Sequence, residues 1–515
     1  MRWSQFLIPS VTDLLFATLL LGLSCGALGR LLLRDASIGW HIRNGQQMLL
    51  THAVTRIDPF SSTMSGHAWY AWEWLYDVLI AAIYQVLGLN GVVFYSAAVI
   101  AASFVLALHL ALRDRGNLPL TLFLLILSLG ASAVHFFARP HVVSWLFTVI
   151  WFSVLDSAER RPAAYKNLFW LPVLMALWVN LHGGFLMGFV LLAVYLLAGV
   201  GSYISGRDPR DESRQWLRSL IVCSGLSLAA SFVNPYGYHL HVHIWRYLTD
   251  RFLMNHITEF FSPDFHGAAQ QCFAVLLIIA MAAFASAARR PSAARIMVVV
   301  VAAYGGLYAT RSLPTSALLI TLVIAPLLSQ SISEAAVNPR FASWLHGFFS
   351  RLDSFGLRMG RLEVQFRGHF WLVLVFVVGL WACMHHGRLG SEQFINAYFD
   401  DKRFPVEAAE VIAQRQIHEP IFSLDYWGGY LIYRLYPQTK VVLDDRHDLY
   451  GTQFFQDYLK IVLVQPGWEK ALDEKRVNWV LIPSESSLAN MMRLIPEWNV
   501  THEDRTAVLF HRIGR

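Results

Sequence analysis

RDASIGWHIRNGQQMLLTHAVTRIDPFSSTMSGHAWYAWEWLYD, residues 34–77, follows the first apolar run of the sequence and ends in a dense group of aromatic and acidic side chains. An acid, Asp35, stands directly after the apolar run. A carboxylate held near a membrane surface can accept a proton from a hydroxyl group or bind a divalent cation. Flat aromatic side chains suit sugar rings, but Trp and Tyr also settle at bilayer interfaces for purely physical reasons. Both interpretations of the aromatic group stay open at this stage.

The composition around this segment excludes an ordinary soluble protein. Of 515 residues, 56% are hydrophobic and 15% are charged, and the mean hydropathy is +0.44. Soluble domains have about 45–50% apolar and about 25% charged residues. The net charge of +6 does not indicate nucleic-acid binding, because basic residues of membrane proteins concentrate in cytoplasmic loops. The four cysteines all lie in apolar runs, so neither a disulfide framework nor a zinc site is expected.

The apolar runs predict about eleven transmembrane helices, since roughly 20 residues cross a bilayer. They lie near residues 14–33, 90–112, 118–136, 141–157, 168–180, 183–204, 216–232, 270–287, 296–310, 314–328 and 369–384. The run WLYDVLIAAIYQVLG (74–88) is short and contains Asp77, so we interpret it as an interfacial or re-entrant helix. The sequence therefore predicts an all-α membrane domain over residues 1–389, with residues 34–89 as its first external loop.

Basic residues predict the orientation of this domain. With the N-terminus inside, the cytoplasmic side receives ALRDRGN (111–117), ERRPAAYK (159–166), SGRDPRDESRQ (205–215), ARRPSAAR (288–295) and the Arg-rich segment 329–368, as the positive-inside rule requires. The unusual polar motifs then share the external face with the first loop. They are ARPH (138–141), NLHGG (180–184), VNPYG (233–237), ITEFFSPDF (257–265) and TRSLP (310–314). Their convergence predicts one shared site, although external loops that simply hold polar residues are the alternative.

Residues 390–515 predict a small α/β domain outside the cytoplasm. Runs typical of strands (421–424, 440–444, 479–483 and 507–511) alternate with helical stretches near 405–415, 453–463 and 486–495. This alternation is typical of a largely parallel sheet. VVLDDRHDLYG (441–451) follows one predicted strand, at the end of a sheet where ligands often bind. An internally paired network of its charges Asp444–Asp448 is the alternative, and without a glycine-rich phosphate loop we expect no nucleotide cofactor.

The order of features from the first apolar run to the second resembles the GT-C membrane glycosyltransferases, the class that includes polyprenyl-phosphate-sugar-dependent and protein mannosyltransferases. That order is a span, an external acid, the helix GWHIRNGQQMLL (39–50), the loop RIDPFS (56–61), an interfacial helix and a second span. The ARPH, NLHGG and NPYG motifs and the α/β tail also resemble a group of bacterial multi-spanning proteins. The resemblance implies a bacterial inner-membrane location and a lipid-linked sugar donor.

The resemblance also implies roles for individual residues. Asp35 matches the catalytic acid of the class and would act as general base, with Glu73 as the second candidate. A simple ion pair of Asp35 with a neighbouring arginine is the structural alternative. Arg139 and Arg311 would bind the donor's phosphate, since a guanidinium offers paired donors to phosphate oxygens; snorkelling or interhelical pairing is the alternative.

Further residues are expected to line the substrate site. They are Trp40, His41, Arg43, His67, Trp69, Trp72, His141, Asn180, His182, Asn234, Tyr236 and Glu259. Several have structural alternatives: the aromatics can be interface anchors, and the NPYG motif can be only a helix stop and turn. The first loop lacks the Asp-x-Asp pair found in parts of the class, so the metal ligands stay unknown, no cofactor is certain and a divalent cation is left open.

The sequence thus predicts a membrane glycosyltransferase that passes a sugar from a polyprenyl-phosphate donor to a glycan, lipid or protein acceptor. Its expected partners are the donor, the acceptor and membrane lipids, without nucleic acid. Two alternatives come from other classes: a transporter or flippase of lipid-linked glycans, and a non-catalytic scaffold of an envelope polysaccharide assembly system. A transporter favours polar residues through the bilayer centre and repeat symmetry, and neither is evident in the sequence.

Overall fold

The computed structural model describes residues 6–113, 116–206, 211–287, 290–337 and 343–513. Among the arginines of the predicted basic linkers, Arg115, Arg207, Arg210, Arg289 and Arg340 lie outside these ranges. The described chain is mostly helical as far as Met384, and a small mixed α/β domain follows. The predicted fold class is therefore confirmed.

The helices of the membrane domain pack their buried apolar residues into one continuous core. The bounds of the longer ones are Val11–Ser24, Ser37–Thr51, Trp74–Leu112, Leu118–Ser132, His141–Arg160, Trp170–Leu181, Leu186–Ile204, Asp211–Ala230, Tyr238–Thr249, Ala268–Ser286, Ala293–Tyr308, Leu313–Val337, Ser343–Gln365 and Phe370–Met384. Short helices or turns at Gly26–Leu31, Ala133–His135, Pro162–Phe169, Gly183–Phe185, Arg251–Met254, Thr258–Phe260 and Thr310–Ser312 connect them.

The predicted number of eleven spans is not confirmed. In the part of the chain that the structure describes, six helices are long and apolar enough to cross a membrane, or seven if the bent pair Ser343–Gln365 and Phe370–Met384 forms one span. The first apolar run is broken after Val11–Ser24, and the run at 168–180 forms only the 12-residue helix Trp170–Leu181. At 1.5 Å per residue such helices are shorter than the hydrocarbon core of roughly 30 Å.

The helix Trp74–Leu112 contains the predicted interfacial run 74–88 as its first arm. Gly88 has a positive φ of 62° and separates this arm from the second, a conformation that glycine adopts without steric cost. Helix Ser37–Thr51 lies tightly against the first arm: a Cβ at Gly45 would come 1.9 Å from the carbonyl oxygen of Asp77. This close approach brings polar groups of the two helices together. The interfacial location of 74–88 remains a prediction.

The tail contains a four-stranded sheet in the order Ile421–Ser423, Trp479–Pro483, Ala507–Arg512, Trp498–Glu503. Only the first pair is parallel, and the other two pairs are antiparallel. The prediction of a largely parallel sheet is therefore wrong, because the last two strands form a hairpin. Its edge strand, WNVTHE, was not predicted, and most of it is polar and solvent-facing. The helices of this domain are Val406–Gln414, Asp425–Leu435, His447–Val462, Trp468–Glu474 and Ser487–Met492.

The predicted strand 440–444 joins the tail to the first loop instead of extending the sheet. Val441 makes isolated parallel bridges to Ile421 and to Ser61 of the first loop. Nearby, a Cβ at Gly39 would lie 2.2 Å from the carbonyl oxygen of Gly429, so the loop helix and a tail helix touch through their backbones. The tail is thereby placed against the site that the first loop helps to form.

Candidate active site

One cavity of about 330 Å³ collects most of the polar motifs of the sequence. Its walls come from the first loop, the beginning of helix His141–Arg160, the turn at Gly183–Gly184, the segments near Phe260 and Arg311, and the tail. The predicted residues that line it are Trp40, Trp69, Trp72, Glu73, Arg139, His141, His182 and Arg311. The convergence of these motifs matches the expectation of one shared site.

The other predicted residues do not line the cavity, and several of them hold its walls. Asn180 accepts a 2.7 Å hydrogen bond from the Trp74 indole. Asn234 bonds within its own turn, and the Tyr236 hydroxyl donates to the carbonyl of Thr55. The Arg43 guanidinium donates to the carbonyl of Tyr433 in the tail, whereas His67 is exposed.

Arg139 lies between two carboxylates. Its Nη1 is 2.9 Å from Asp35 Oδ2 and 2.6 Å from Glu259 Oε1. The other Asp35 oxygen accepts hydrogen bonds from the backbone and hydroxyl of Ser37. Burial opposes ionisation of Arg139, but the neighbouring carboxylates outweigh it and hold the pKa of Arg139 well above its usual value. The guanidinium is therefore charged at neutral pH.

Arg311 completes this cluster through the second oxygen of Glu259. Its Nη1 lies 3.3 Å from Glu259 Oε2, and its side chain is 33% exposed, against 19% for Arg139. Burial raises the pKa of Glu259, yet Arg139 and Arg311 together bring that pKa far below its ordinary value. Of the two arginines, Arg311 thus has more of its donors open to a bound anion.

The arrangement around Arg139 also tests whether a divalent cation fits between the nearest acids. The Arg139 Nη1 atom lies between the carboxylates of Asp35 and Glu259 and binds both. It occupies the position that a bridging cation would need. These two carboxylates consequently do not form a metal site as arranged. Among the described residues one other group has suitable spacing, Glu407, His502 and Asp504 in the tail, and none of its members lines the cavity.

Glu73 differs from both of those acids. It lines the cavity. In the described chain its carboxylate accepts no close hydrogen bond, and its contacts with two histidines are 3.5 Å and 3.7 Å long. Burial is the main cause that raises its pKa to about 7, and nearby Asp77 adds to the effect, while His41 and the two arginines oppose it. Such a carboxyl is partly ionised at neutral pH and can exchange a proton there.

One of those histidines, His41, is held behind Glu73 by a buried acid. Its Nδ1 lies 2.5 Å from Asp77 Oδ1, while Asn44 donates a 2.6 Å hydrogen bond to Oδ2. Burial lowers the pKa of His41 to about 3, so the ring is neutral at pH 7. The other ring nitrogen, Nε2, faces Glu73 Oε2 at 3.7 Å, and this buried nitrogen has no hydrogen-bond partner in the described chain.

The other histidine, His182, faces the second oxygen of Glu73. Its Nδ1 accepts a 3.0 Å hydrogen bond from the backbone N–H of Gly184 and lies 2.7 Å from the hydroxyl of Ser144. Its Nε2 lies 3.3 Å from Arg311 Nη2 and 3.5 Å from Glu73 Oε1. Each oxygen of Glu73 therefore faces one histidine ring, at 3.5 Å and 3.7 Å.

The tail supplies acids that sequence reasoning did not assign to the site. Asp445 and Asp448 line the cavity, and Asp445 accepts a 2.9 Å hydrogen bond from the Trp40 indole. Burial and the neighbouring charge of Asp35 raise the pKa of Asp445. The expected internal pairing does occur for Asp444, which binds Arg446 at 2.7 Å. The position of the cluster after a predicted strand was the available signal, but it could not show which acids face outward.

Comparison with solved protein structures shows which fold the chain has. The archaeal oligosaccharyltransferase AglB from Archaeoglobus fulgidus, in complex with an inhibitory peptide and a dolichol-phosphate, is similar with a TM-score of 0.58 at 11% identity over 92% of this chain and 69% of that one. The same enzyme tethered to an acceptor peptide gives 0.55 at 12% identity with the same coverage. ArnT from Cupriavidus metallidurans in the apo state gives 0.47 at 13% identity over 96% of both chains. No protein-family model and no curated protein matches the sequence. The likeness to AglB shows that the chain has the GT-C fold.

Proposed function

From the GT-C fold and the cavity that it forms, we propose that the chain is a membrane glycosyltransferase using a polyprenyl-phosphate-linked sugar donor. The observation that carries the proposal is one cavity lined by Arg139, Arg311 and a carboxyl, Glu73, whose pKa is near 7. A cation for the donor's phosphate and a base for the acceptor's hydroxyl are the two groups that such a transfer requires. The AglB complex, which contains a dolichol-phosphate, supports the choice of donor.

Arg311 is the residue that we assign to the phosphate, with Arg139 beside it. A phosphate oxygen can accept from the exposed part of the Arg311 guanidinium without breaking the buried Arg139–Asp35 pair. The phosphate is also the leaving group, so positive charge beside it stabilises the charge that develops as the bond to the sugar breaks. Both arginines contribute to that stabilisation through the shared Glu259 network.

Glu73 is the carboxylate that the geometry supports better as general base. Asp35, the first candidate from the sequence, has both oxygens engaged by Arg139 and Ser37 and does not line the cavity. Glu73 does line it and accepts no close hydrogen bond in the described chain. Asp35 then acts as a positioning residue that orients Arg139.

The transfer step follows from this assignment. The acceptor oxygen forms a bond to the anomeric carbon while the bond from that carbon to the phosphate oxygen breaks, and the electron pair leaves with the polyprenyl phosphate. The acceptor's proton passes to Glu73. The rings of His41 and His182 contact its two oxygens at 3.7 Å and 3.5 Å.

The aromatic residues Trp40, Trp69 and Trp72 suit the sugar. All three line the cavity, and flat rings are favourable surfaces for the C–H faces of a pyranose. Which sugar is carried, and whether the acceptor is a glycan, a lipid or a protein, is not part of the proposal. We place the cavity and the tail outside the cytoplasm of a bacterial inner membrane, on the basis of the basic linkers.

The test is a transfer assay with the full-length protein in lipid nanodiscs. We would supply polyprenyl-phosphate sugars with a panel of acceptor fractions and measure release of the free polyprenyl phosphate. Turnover that falls in Arg311→Ala and is partly restored in Arg311→Lys supports the proposal, because lysine keeps the charge but lacks the planar fork. A flippase would instead move intact lipid-linked glycan across liposomes without cleaving it. A scaffold would give neither signal, and either result would overturn the proposal.

A further inference from the structure

A second cavity of about 360 Å³ lies at the far ends of the helices that carry the candidate active site. Helices Trp74–Leu112 and His141–Arg160 begin beside the first cavity and end at the second. A 20-residue helix is about 30 Å long, so the end of the second cavity beside Arg160 lies about one helix length from His141 in the first. Nothing in the proposed reaction uses this second cavity.

One end of this cavity is rich in arginine. Arg113, Arg160 and Arg161 line it together with Ser157 and Asn167. The nearest acid, Asp156, is already shared: it binds Arg160 at 2.9 Å and Arg295 at 2.8 Å and 3.1 Å.

The remaining two arginines lack such an acid. Among the described residues, Arg113 and Arg161 have no carboxylate within ion-pair distance, and Arg113 only approaches the Ser157 hydroxyl at 3.4 Å. The other nearby acid, Glu159, accepts a hydrogen bond from Ser292. Among the described residues, the polar end of the cavity therefore has more arginines than carboxylates to pair with them.

The other end of the cavity is apolar. Ile150 and Val154 line it from helix His141–Arg160, and Trp170 and Leu174 line it from helix Trp170–Leu181. The Trp170 side chain is 64% exposed, as is common for Trp at a membrane interface. A ligand that fills the whole cavity would thus have an anionic head beside the arginines and an apolar chain along the two helices.

We propose that this cavity binds the phosphate of an anionic membrane phospholipid, with part of an acyl chain along the apolar end. The shared chemistry is a phosphate group held by guanidinium donors, which can pair with two of its oxygens. A free phosphate would use only the polar end. The apolar end favours the lipid, and basic cavities between transmembrane helices on one membrane face are typical sites for anionic head groups.

The experiment uses native mass spectrometry of the full-length protein released from mixed micelles. The probes are phosphatidylglycerol, zwitterionic phosphatidylethanolamine and, separately, soluble glycerol 1-phosphate. We expect the parent to retain phosphatidylglycerol, and the double variant Arg113→Gln/Arg161→Gln to bind it about 30-fold more weakly, the loss expected for two basic groups at an anionic lipid. The control Arg351→Gln/Arg358→Gln removes two exposed charges from helix Ser343–Gln365 and should leave retention unchanged.

Each result decides the proposal. Equal retention of both phospholipids by the parent, or equal loss in both double variants, would show nonspecific attraction and overturn it. Competition by millimolar glycerol 1-phosphate would show a site for soluble phosphate and overturn the lipid assignment. If the double variant does not fold, the single variant Arg161→Gln and the selectivity of the parent between the two lipids still test the site.

Discussion

Arg139 Nη1 lies 2.9 Å from Asp35 Oδ2, so the acid that directly follows the first apolar run is paired with a cation that comes from 104 residues further along the chain. The same nitrogen also binds Glu259 at 2.6 Å. This pairing distinguishes the positioning role that we propose for Asp35 from the general-base role that the sequence predicts for it.

The first prediction concerns these roles. Glu73→Gln should lower turnover by about 10²–10⁴-fold, the usual contribution of a positioned base, with donor binding retained. Asp35→Asn should lower it less and weaken donor binding, because Arg139 loses one of its two partners. Turnover and equilibrium donor binding of both variants are the measurements. The reverse order, with Asp35→Asn inactive and Glu73→Gln active, would return the general base to Asp35.

The second prediction is the pH dependence of turnover. Because the pKa of Glu73 is raised to about 7 and the base works only when ionised, kcat/KM should rise with pH through a limb near 7. At two pH units below the limb, about 1% of the plateau should remain. Asp445→Asn is the matched control, since it removes another buried acid of the cavity. If the pH dependence near 7 disappears in Asp445→Asn but persists in the residual activity of Glu73→Gln, the group that titrates is Asp445 of the tail and not Glu73.

The third prediction is that chelation leaves turnover unchanged. Arg139 occupies the position between Asp35 and Glu259 that a bridging cation would need, so we expect no metal ion between these two acids. Turnover after EDTA treatment and metal analysis by mass spectrometry are the two readouts. Loss of activity on chelation, restored by added Mg²⁺ or Mn²⁺, would contradict this interpretation of Arg139.

The fourth prediction concerns the contact between the tail and the first loop. Buried Arg446 binds Asp444 at 2.7 Å within the tail and Asp58 of the first loop at 2.9 Å, and it lies 4.4 Å from the ring centre of Trp69. Arg446→Met should destabilise the protein by about 3–5 kcal/mol, because two buried carboxylates lose their partner.

The control for the fourth prediction is Arg434→Gln. The Arg434–Glu410 pair is exposed and 3.9 Å long, so its loss should cost at most about 1 kcal/mol. Thermal unfolding and the rate of proteolytic release of the tail measure both variants. Equal effects of the two substitutions would show that the buried pair does not hold the tail in place.

The fifth prediction is the orientation in the membrane. In a background without the four native cysteines, Ser391→Cys should react with an impermeant thiol reagent in intact cells, whereas Ser286→Cys should react only after lysis. Both positions are exposed in the structure, so burial does not prevent labelling of either. Labelling of Ser286→Cys in intact cells would reverse the orientation predicted from the basic linkers.

Much of the architecture follows from local features of the sequence. Apolar runs and their lengths identify a membrane domain, and the order of acid, helix and Pro-containing loop after the first run is enough to indicate the GT-C fold. Strands such as Ile421–Ser423 and Trp479–Pro483 were predicted because their residues are apolar and β-branched or aromatic. These signals lie within about 20 consecutive residues, so no tertiary information is needed to find them.

Tertiary structure alone decided how the site is arranged. The sequence could not place Asp445 of the tail beside Trp40 of the first loop, nor show that the backbones of Gly39 and Gly429 touch. The predicted number of spans is not confirmed either, because an apolar run does not reveal where a helix breaks. The proton positions of His41 and His182 depend on which partners approach each ring nitrogen. Such properties arise from distances between residues far apart in the chain, and no local pattern encodes them.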